Sequence, residues 1–196
     1  VVSSGLKSVV LQLQRADGQY WNGRVYQRAP FDLRTRQLDR SFFALLDTLP
    51  SRSPDGRYTW TAIATDNAGN QARAGQTFVL DQTPPALLIT SPAAEAGNTA
   101  RLSDLGTISG RASGAVSVEV ALKRADGSYW NRREYQDEPF FLEAALSNGA
   151  WSLSAGLPSG ADLPPGNYVL LVRARDEAGN AGISSRAIVV TSSPAS

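Results

Sequence analysis

The sequence predicts an all-β protein built as two tandem antiparallel β-sandwiches, the first lacking its opening strands. Three observations carry that expectation. The stretch Arg15-Ala16-Asp17-Gly18-Gln19-Tyr20-Trp21-Asn22 returns as Arg124-Ala125-Asp126-Gly127-Ser128-Tyr129-Trp130-Asn131. Ala64-Thr65-Asp66-Asn67-Ala68-Gly69-Asn70 returns as Ala174-Arg175-Asp176-Glu177-Ala178-Gly179-Asn180 in the same order, at a spacing of about 110 residues, the mark of one domain duplicated in tandem. Third, short alternating runs punctuated by Gly, Pro, Asn and Asp, with no sustained helical period, argue for sandwiches. The 196 residues leave room for two domains and no third, placed at 1–82 and 83–196.

The elements follow in chain order. Val9, Leu11 and Leu13 alternate with Val10, Gln12 and Gln14, and Val118, Val120 and Leu122 alternate with Glu119, Ala121 and Lys123, so each copy has a strand with one apolar face. Asp17-Gly18 and Asp126-Gly127 come next and predict tight hairpins in which the dipeptide supplies the positive-φ positions. Tyr20 to Asn22 and Tyr129 to Asn131 are then the returning strands. Leu38 to Leu49 is the stretch whose pattern decides least.

A second core strand in each copy is marked by Tyr58, Trp60, Ala62 and Ala64, and by Tyr168, Leu170, Val172 and Ala174, each set on one parity. The turns at Asn67 to Asn70 and Glu177 to Asn180 lead into Thr77 to Leu80 and Ala187 to Val190, a hairpin closing each domain. Asp81-Gln82-Thr83-Pro84-Pro85 reads as the linker, because consecutive prolines cannot continue a central strand. The expected core anchors are Tyr58, Trp60, Tyr168, Val118, Val120, Leu122 and Phe140.

In the repeat frame Val1 aligns with Gly110, so the first copy has no counterpart of Ala86 to Ser109, which carries two expected strands at Leu87 to Thr90 and Thr107 to Arg111. Two readings stay open. The chain is a window from a longer array, or the strands are supplied from elsewhere by donation between chains.

The pattern from Tyr58 to Asn70, Tyr followed by Ala-x-Asp-x-Ala-Gly-Asn, together with the Thr83-Pro84-Pro85 linker, resembles the bacterial immunoglobulin-like domains of large secreted and surface proteins. The spacings Tyr58 to Asp66 and Tyr168 to Asp176 are identical in the two copies. The resemblance implies a seven-strand sandwich, export to the bacterial surface or medium, tandem neighbouring Ig-like repeats as partners, and duty as stalk, spacer or adhesive segment. It implies no enzyme. Tyr58 and Tyr168 also stand where such sandwiches carry a tyrosine corner. The antibody-type cysteines are missing, so cores of this kind are held by apolar packing alone.

Composition narrows the chemistry. With no Cys and no His, thiolate chemistry, Ser-His-Asp and Cys-His catalysis and every His-based metal site are ruled out. Net charge is +1 and the basic residues are scattered, which gives no nucleic-acid stripe. No apolar run is long enough to insert in a membrane. Carboxylates such as Asp39, Asp47, Asp137, Glu138 and Glu143 form no pair that recurs between copies, so they read as solvated loop charges.

Two candidate sites remain. Tyr20, Trp21, Tyr129 and Trp130 are a candidate aromatic platform, since adjacent strand residues point to opposite faces and an exposed ring can stack on a glycan or anchor a surface protein. The alternative is that one ring of each pair covers the sandwich edge. Asp66, Asn67, Asn70 and Asp81 are a candidate junctional calcium site with hard oxygen ligands, Asp81 having no acidic counterpart at Thr191. The alternative is that Asp66 and Asp176 cap the turn through backbone amides. No organic cofactor is implied. Three functions are consistent with this sequence: a structural or adhesive spacer, an extracellular filament repeat completed by strand donation, and an accessory carbohydrate-binding module of an exported hydrolase.

Overall fold

A computed structural model describes residues 5–38, 41–44, 50, 52–95 and 97–192. Asp39 and Asp47, and most of the stretch from Leu38 to Leu49, lie outside the described residues. The described residues form strands and turns, with one 3₁₀ turn at Gly160–Asp162 and no α-helix. The chain divides into two compact units, Val1–Gln82 and Thr83–Ser196.

The second unit has eleven strands among the described residues: β8 (Ala86–Ser91), β9 (Thr99–Leu102), β10 (Ile108–Ser113), β11 (Ser117–Arg124), β12 (Tyr129–Trp130), β13 (Tyr135–Gln136), β14 (Leu142–Glu143), β15 (Ala145–Ser147), β16 (Ala150–Leu153), β17 (Gly166–Arg175) and β18 (Ala181–Val190). One sheet runs β15-β16-β10-β8. The other runs β13-β12-β11-β17-β18-β9, with β14 paired to β11. The chain crosses from one sheet to the other at buried Ala144, between β14 and β15. The pairing is antiparallel except that β9 lies parallel to β18, Thr99 opposite Ala187 and Leu102 opposite Val190.

That parallel strand is absent from the sequence expectation, because Thr99-Ala100-Arg101-Leu102 is short and carries a charge. The two opening strands expected near Leu87 and Thr107 are β8 and β10. Alternation then builds the core: Val118, Val120, Leu122, Leu170, Val172 and Ala174 from one sheet meet Ile89, Ile108, Ala112, Trp151 and Leu153 from the other, all buried. Phe140 is only half-buried against this cluster.

The first unit has seven strands among the described residues: β1 (Leu6–Arg15), β2 (Tyr20–Trp21), β3 (Tyr26–Gln27), β4 (Leu33–Leu38), β5 (Ser41–Ala44), β6 (Gly56–Asp66) and β7 (Gln71–Leu80). β6 lies between β1 and β7, β1 also pairs with β2 and with the start of β4, and the rest of β4 pairs with β5. Each element has a counterpart from β11 onward in the second unit, in the same register. Nothing among the described residues corresponds to β8, β9 or β10. The buried cluster is accordingly small: Leu13, Leu33 and Tyr58 are buried, whereas Leu11, Trp60, Phe78 and Leu80 are only partly so.

Candidate functional site

The repeated hairpin is built identically in both copies. Gly18 N donates to Arg15 O and Arg15 N to Gln19 O, with the same pattern from Gly127 and Arg124. This is a three-residue loop, a turn followed by a glycine bulge, and only Gly18 (φ 85°) and Gly127 (φ 99°) are left-handed. The expectation that both residues of the Asp-Gly dipeptide supply positive-φ positions is therefore corrected: only the glycine does, Ala16 and Ala125 also belong to the loop, and the aspartates serve as clamps. Asp17 Oδ1 accepts from Gln19 N at 3.1 Å, and Asp126 Oδ1 accepts from Ser128 N and Oγ at 3.0 and 2.6 Å. The other oxygen of each accepts from the guanidinium of Arg15 or Arg124. The same guanidiniums lie over the rings of Tyr26 and Tyr135, at 4.8 and 4.5 Å from the centroids.

The aromatic pairs split between faces. Trp130 is 4% exposed, packs 5.3 Å from Tyr135, and donates its Nε1 proton to Gly156 O at 2.7 Å. Its ring belongs to the core and offers no face to a ligand. Trp21 is half-buried, 5.1 Å from Tyr26. Tyr20 and Tyr129 are half-buried on the opposite parity, with Lys123 Nζ 5.4 Å from the Tyr129 centroid.

The asparagines that end the motif close the next turn. Asn22 Oδ1 accepts from Arg24 N and Val25 N while its Nδ2 donates to Gln27 Oε1 at 2.7 Å; Asn131 repeats this with Arg133 N, Glu134 N and Gln136 Oε1. Tyr26-Gln27 and Tyr135-Gln136 were not singled out in the sequence. Their recurrence at the hairpin's own spacing was the available signal.

The Asp-x-Ala-Gly-Asn loops are equally self-contained. Asp66 accepts from Asn70 N at 2.8 Å and from Asn70 Nδ2 at 2.9 Å, and Asp176 accepts from Asn180 at the same distances. Asn67 N donates to Gly5 O. Asp81 lies beyond the end of β7, exposed. Among the described residues no group of three or more acidic, His or Cys side chains converges as metal ligands would.

Tyr58 and Tyr168 form the expected corners, their hydroxyls donating to Pro54 O and Pro164 O at 2.6 and 2.7 Å. Here the copies diverge usefully. Tyr26 shares a 3.1 Å hydrogen bond with Ser53 Oγ, but the second unit has Leu163 in that place, and the buried Tyr135 hydroxyl makes no hydrogen bond of ordinary geometry. Burial pushes its ionisation up. Tyr135→Phe is therefore expected to leave the second unit unchanged or up to about 1 kcal/mol more stable, while Tyr26→Phe costs the first unit about 0.5–1.5 kcal/mol. Urea denaturation of each variant, read by hydrogen exchange unit by unit, checks the opposite signs.

The clamps set an acid limit. The hydrogen bond from Arg124, then those from Ser128, hold Asp126 below its ordinary carboxylate value of 3.8; Arg15 does the same for Asp17, and Asn180 for Asp176. A depressed folded value means that stability is fully present above the ordinary value and lost as pH falls through the folded one. Stability is expected to hold from neutral pH to about 4 and to decline below 3.8, with a shallower decline in Asp126→Asn and Asp176→Asn. Urea midpoints measured from pH 6 to pH 2 check it.

Residues 2–82 match the profile of the bacterial Ig-like domain family. No curated protein matches the chain. Among solved structures, the tetra-tandem repeat from the extending region of a large adhesion protein shares 20% identity, over 97% of this chain and 43% of that one, with a TM-score of 0.43. A 1.5-MDa bacterial ice-binding adhesin shares 19% identity over 96% and 55% of the two chains, with a TM-score of 0.41. The fibronectin(III)-like modules of Clostridium thermocellum CbhA share 15% over 98% and 83%, with a TM-score of 0.37. The chain spans about half the length of the two adhesin structures. The sandwich assignment rests on strand order, corner tyrosines and register. Residues 2–82 are thus similar to the bacterial Ig-like domain, and the second unit repeats the same motifs on a sandwich with both sheets in place.

Proposed function

We propose that the chain is a structural spacer of a bacterial extracellular or cell-surface protein, holding a distal binding region away from the cell. One observation carries this reading: the side chains that recur between the copies are engaged within their own unit. Asp126, Asn131, Gln136, Tyr168 and Asp176 bond to neighbouring backbone or to one another, and Trp130 is core. What these recurring side chains preserve is a scaffold, with turns and corners that fix each sandwich. A spacer needs just that: units that hold their shape under load and can be added in series.

The test is replacement in the parent protein. Deleting residues 1–196 is expected to weaken adhesion, and inserting two unrelated sandwich domains of equal length is expected to restore it. Failure of the replacement, with the protein still displayed at the surface, would mean that these residues bind something themselves.

A further inference from the structure

The net charge of +1 hides a division between the units. Residues 1–82 carry ten cationic and seven anionic side chains, a net +3, whereas residues 83–196 carry nine and eleven, a net −2. Much of the difference falls on one loop. Residues 27–34 lead from β3 into β4, and residues 136–143 lead from β13 into β14. The two loops share a scaffold: Gln27 and Gln136 each donate a side-chain amide proton to the carbonyl two residues on, both at 3.1 Å, and Leu33 and Leu142 are both buried. On that scaffold the charge is reversed. Asp137 stands where the first unit has Arg28, Glu138 where it has Ala29, and Glu143 where it has Arg34, all of them exposed.

These charges are spare within their own units. Among the described residues none of Arg28, Arg34, Asp137, Glu138 and Glu143 takes part in an ion pair or a side-chain hydrogen bond. Glu143 also lies directly opposite Glu119 in the pairing of β11 with β14, and the cation on that row, Arg173, is already bonded to Glu119. Like charges directly opposite disfavour each other, so a cation brought from outside relieves the site. The equivalent row in the first unit has the converse need. It runs from Arg34 through Val10 and Ile63 to Arg73, a cation at each end and no carboxylate between.

A second copy of this chain offers what each loop lacks. A two-fold arrangement that sets loop 28–34 of one copy against loop 137–143 of the other makes the reciprocal contact as well, because the symmetry operation exchanges the copies. At a net charge of +1 the copies repel each other little overall. We propose that two copies of this chain associate as a two-fold dimer, the basic loop 28–34 of each bound to the acidic loop 137–143 of the other. Exposed ion pairs contribute little singly and are screened by salt, so the contact is weak and salt-sensitive. A surface that presents many copies gains from multiplicity. This goes beyond the spacer role and does not depend on it.

Sedimentation velocity of the full chain is the test. At about 20 mM salt the chain is expected to dimerise in the high-micromolar to millimolar range, and about 500 mM salt is expected to weaken the dimer roughly 10-fold or more. Arg28→Glu with Arg34→Glu makes both loops acidic, and Asp137→Arg with Glu143→Arg makes both basic. Each double variant alone is expected to stay monomeric, and an equimolar mixture of the two is expected to associate at least as strongly as the native chain. A native chain still monomeric at about 1 mM in low salt overturns the proposal. So does a dimer that persists unchanged in either double variant, or a pair of variants that stay apart when mixed although the native chain dimerises. Urea midpoints check that the variants fold. One that does not is replaced by its neutral form, Arg28→Gln with Arg34→Gln or Asp137→Asn with Glu143→Gln, and dimerisation of that form at native strength likewise overturns the pairing of the loops.

Discussion

Gly110→Ala is expected to unfold the second unit selectively, at a cost above about 3 kcal/mol. Gly110 lies in β10, sandwiched between a neighbouring strand and a buried indole. A methyl group there would sit 1.9 Å from Leu88 O and 2.7 Å from the Trp151 ring. The ring could shift, but the carbonyl is part of β8, and moving it breaks the pairing of Gly110 with Ile89 and Arg111 with Leu88. Trp151→Phe in the same background therefore does not rescue the variant. Urea denaturation combined with hydrogen exchange is the measurement: protection of β10 collapses while β1 and β6 keep theirs. A cost under about 1 kcal/mol would mean that β8 yields easily and contributes little to the sandwich.

The second large effect is expected at Arg186, a cation 8% exposed on the inward parity of β18. Its Nη2 donates to Ile89 O at 2.7 Å and its Nη1 to Pro92 O at 3.0 Å, so one guanidinium binds the end of β8 to a strand about 97 residues away in sequence. Arg186→Ala leaves two carbonyls without their donors and opens a cavity, an expected loss of about 2–4 kcal/mol. Arg186→Lys recovers only part of it, because a point ammonium lacks the planar fork that reaches both acceptors. Thermal denaturation of the two variants gives the ranking, and equal stabilities for Lys and Ala would show that the fork geometry is unimportant.

Arg186 also marks where the sequence stops being legible. The duplicated anchors and alternating runs are sufficient to place β1, β6, β7, β11, β17 and β18, and the parity of Val118, Val120 and Leu122 identifies buried side chains correctly. A charge on the inward parity of Ile188 and Val190 reads as a frayed end, because its partners are the carbonyls of Ile89 and Pro92, which local pattern does not reveal. The parallel pairing of β9 is similarly non-local. Trp60, expected in the core, is only half-buried because the strands that would cover it have no counterpart among the described residues. At the candidate platform, alternation assigns Trp130 and Tyr129 to opposite faces; which face is inside depends on Gly156 O, supplied from a loop far along the chain.

One cross-strand pair sets the two copies apart. Glu119 and Arg173 face each other on β11 and β17, 2.8 Å apart, with the guanidinium 4.2 Å over the Phe141 ring; Val10 and Ile63 occupy the same positions on β1 and β6. Tandem domains with near-identical hairpins run the risk, while folding, of pairing a strand from one with a strand from the other. If β1 paired with β17 in the shared register, Arg173 would lie against Val10. If β11 paired with β6, Glu119 would lie against Ile63. Each hybrid strips a half-buried charge of its partner. The native pairing of β11 with β17 thus carries a charge match that neither hybrid reproduces.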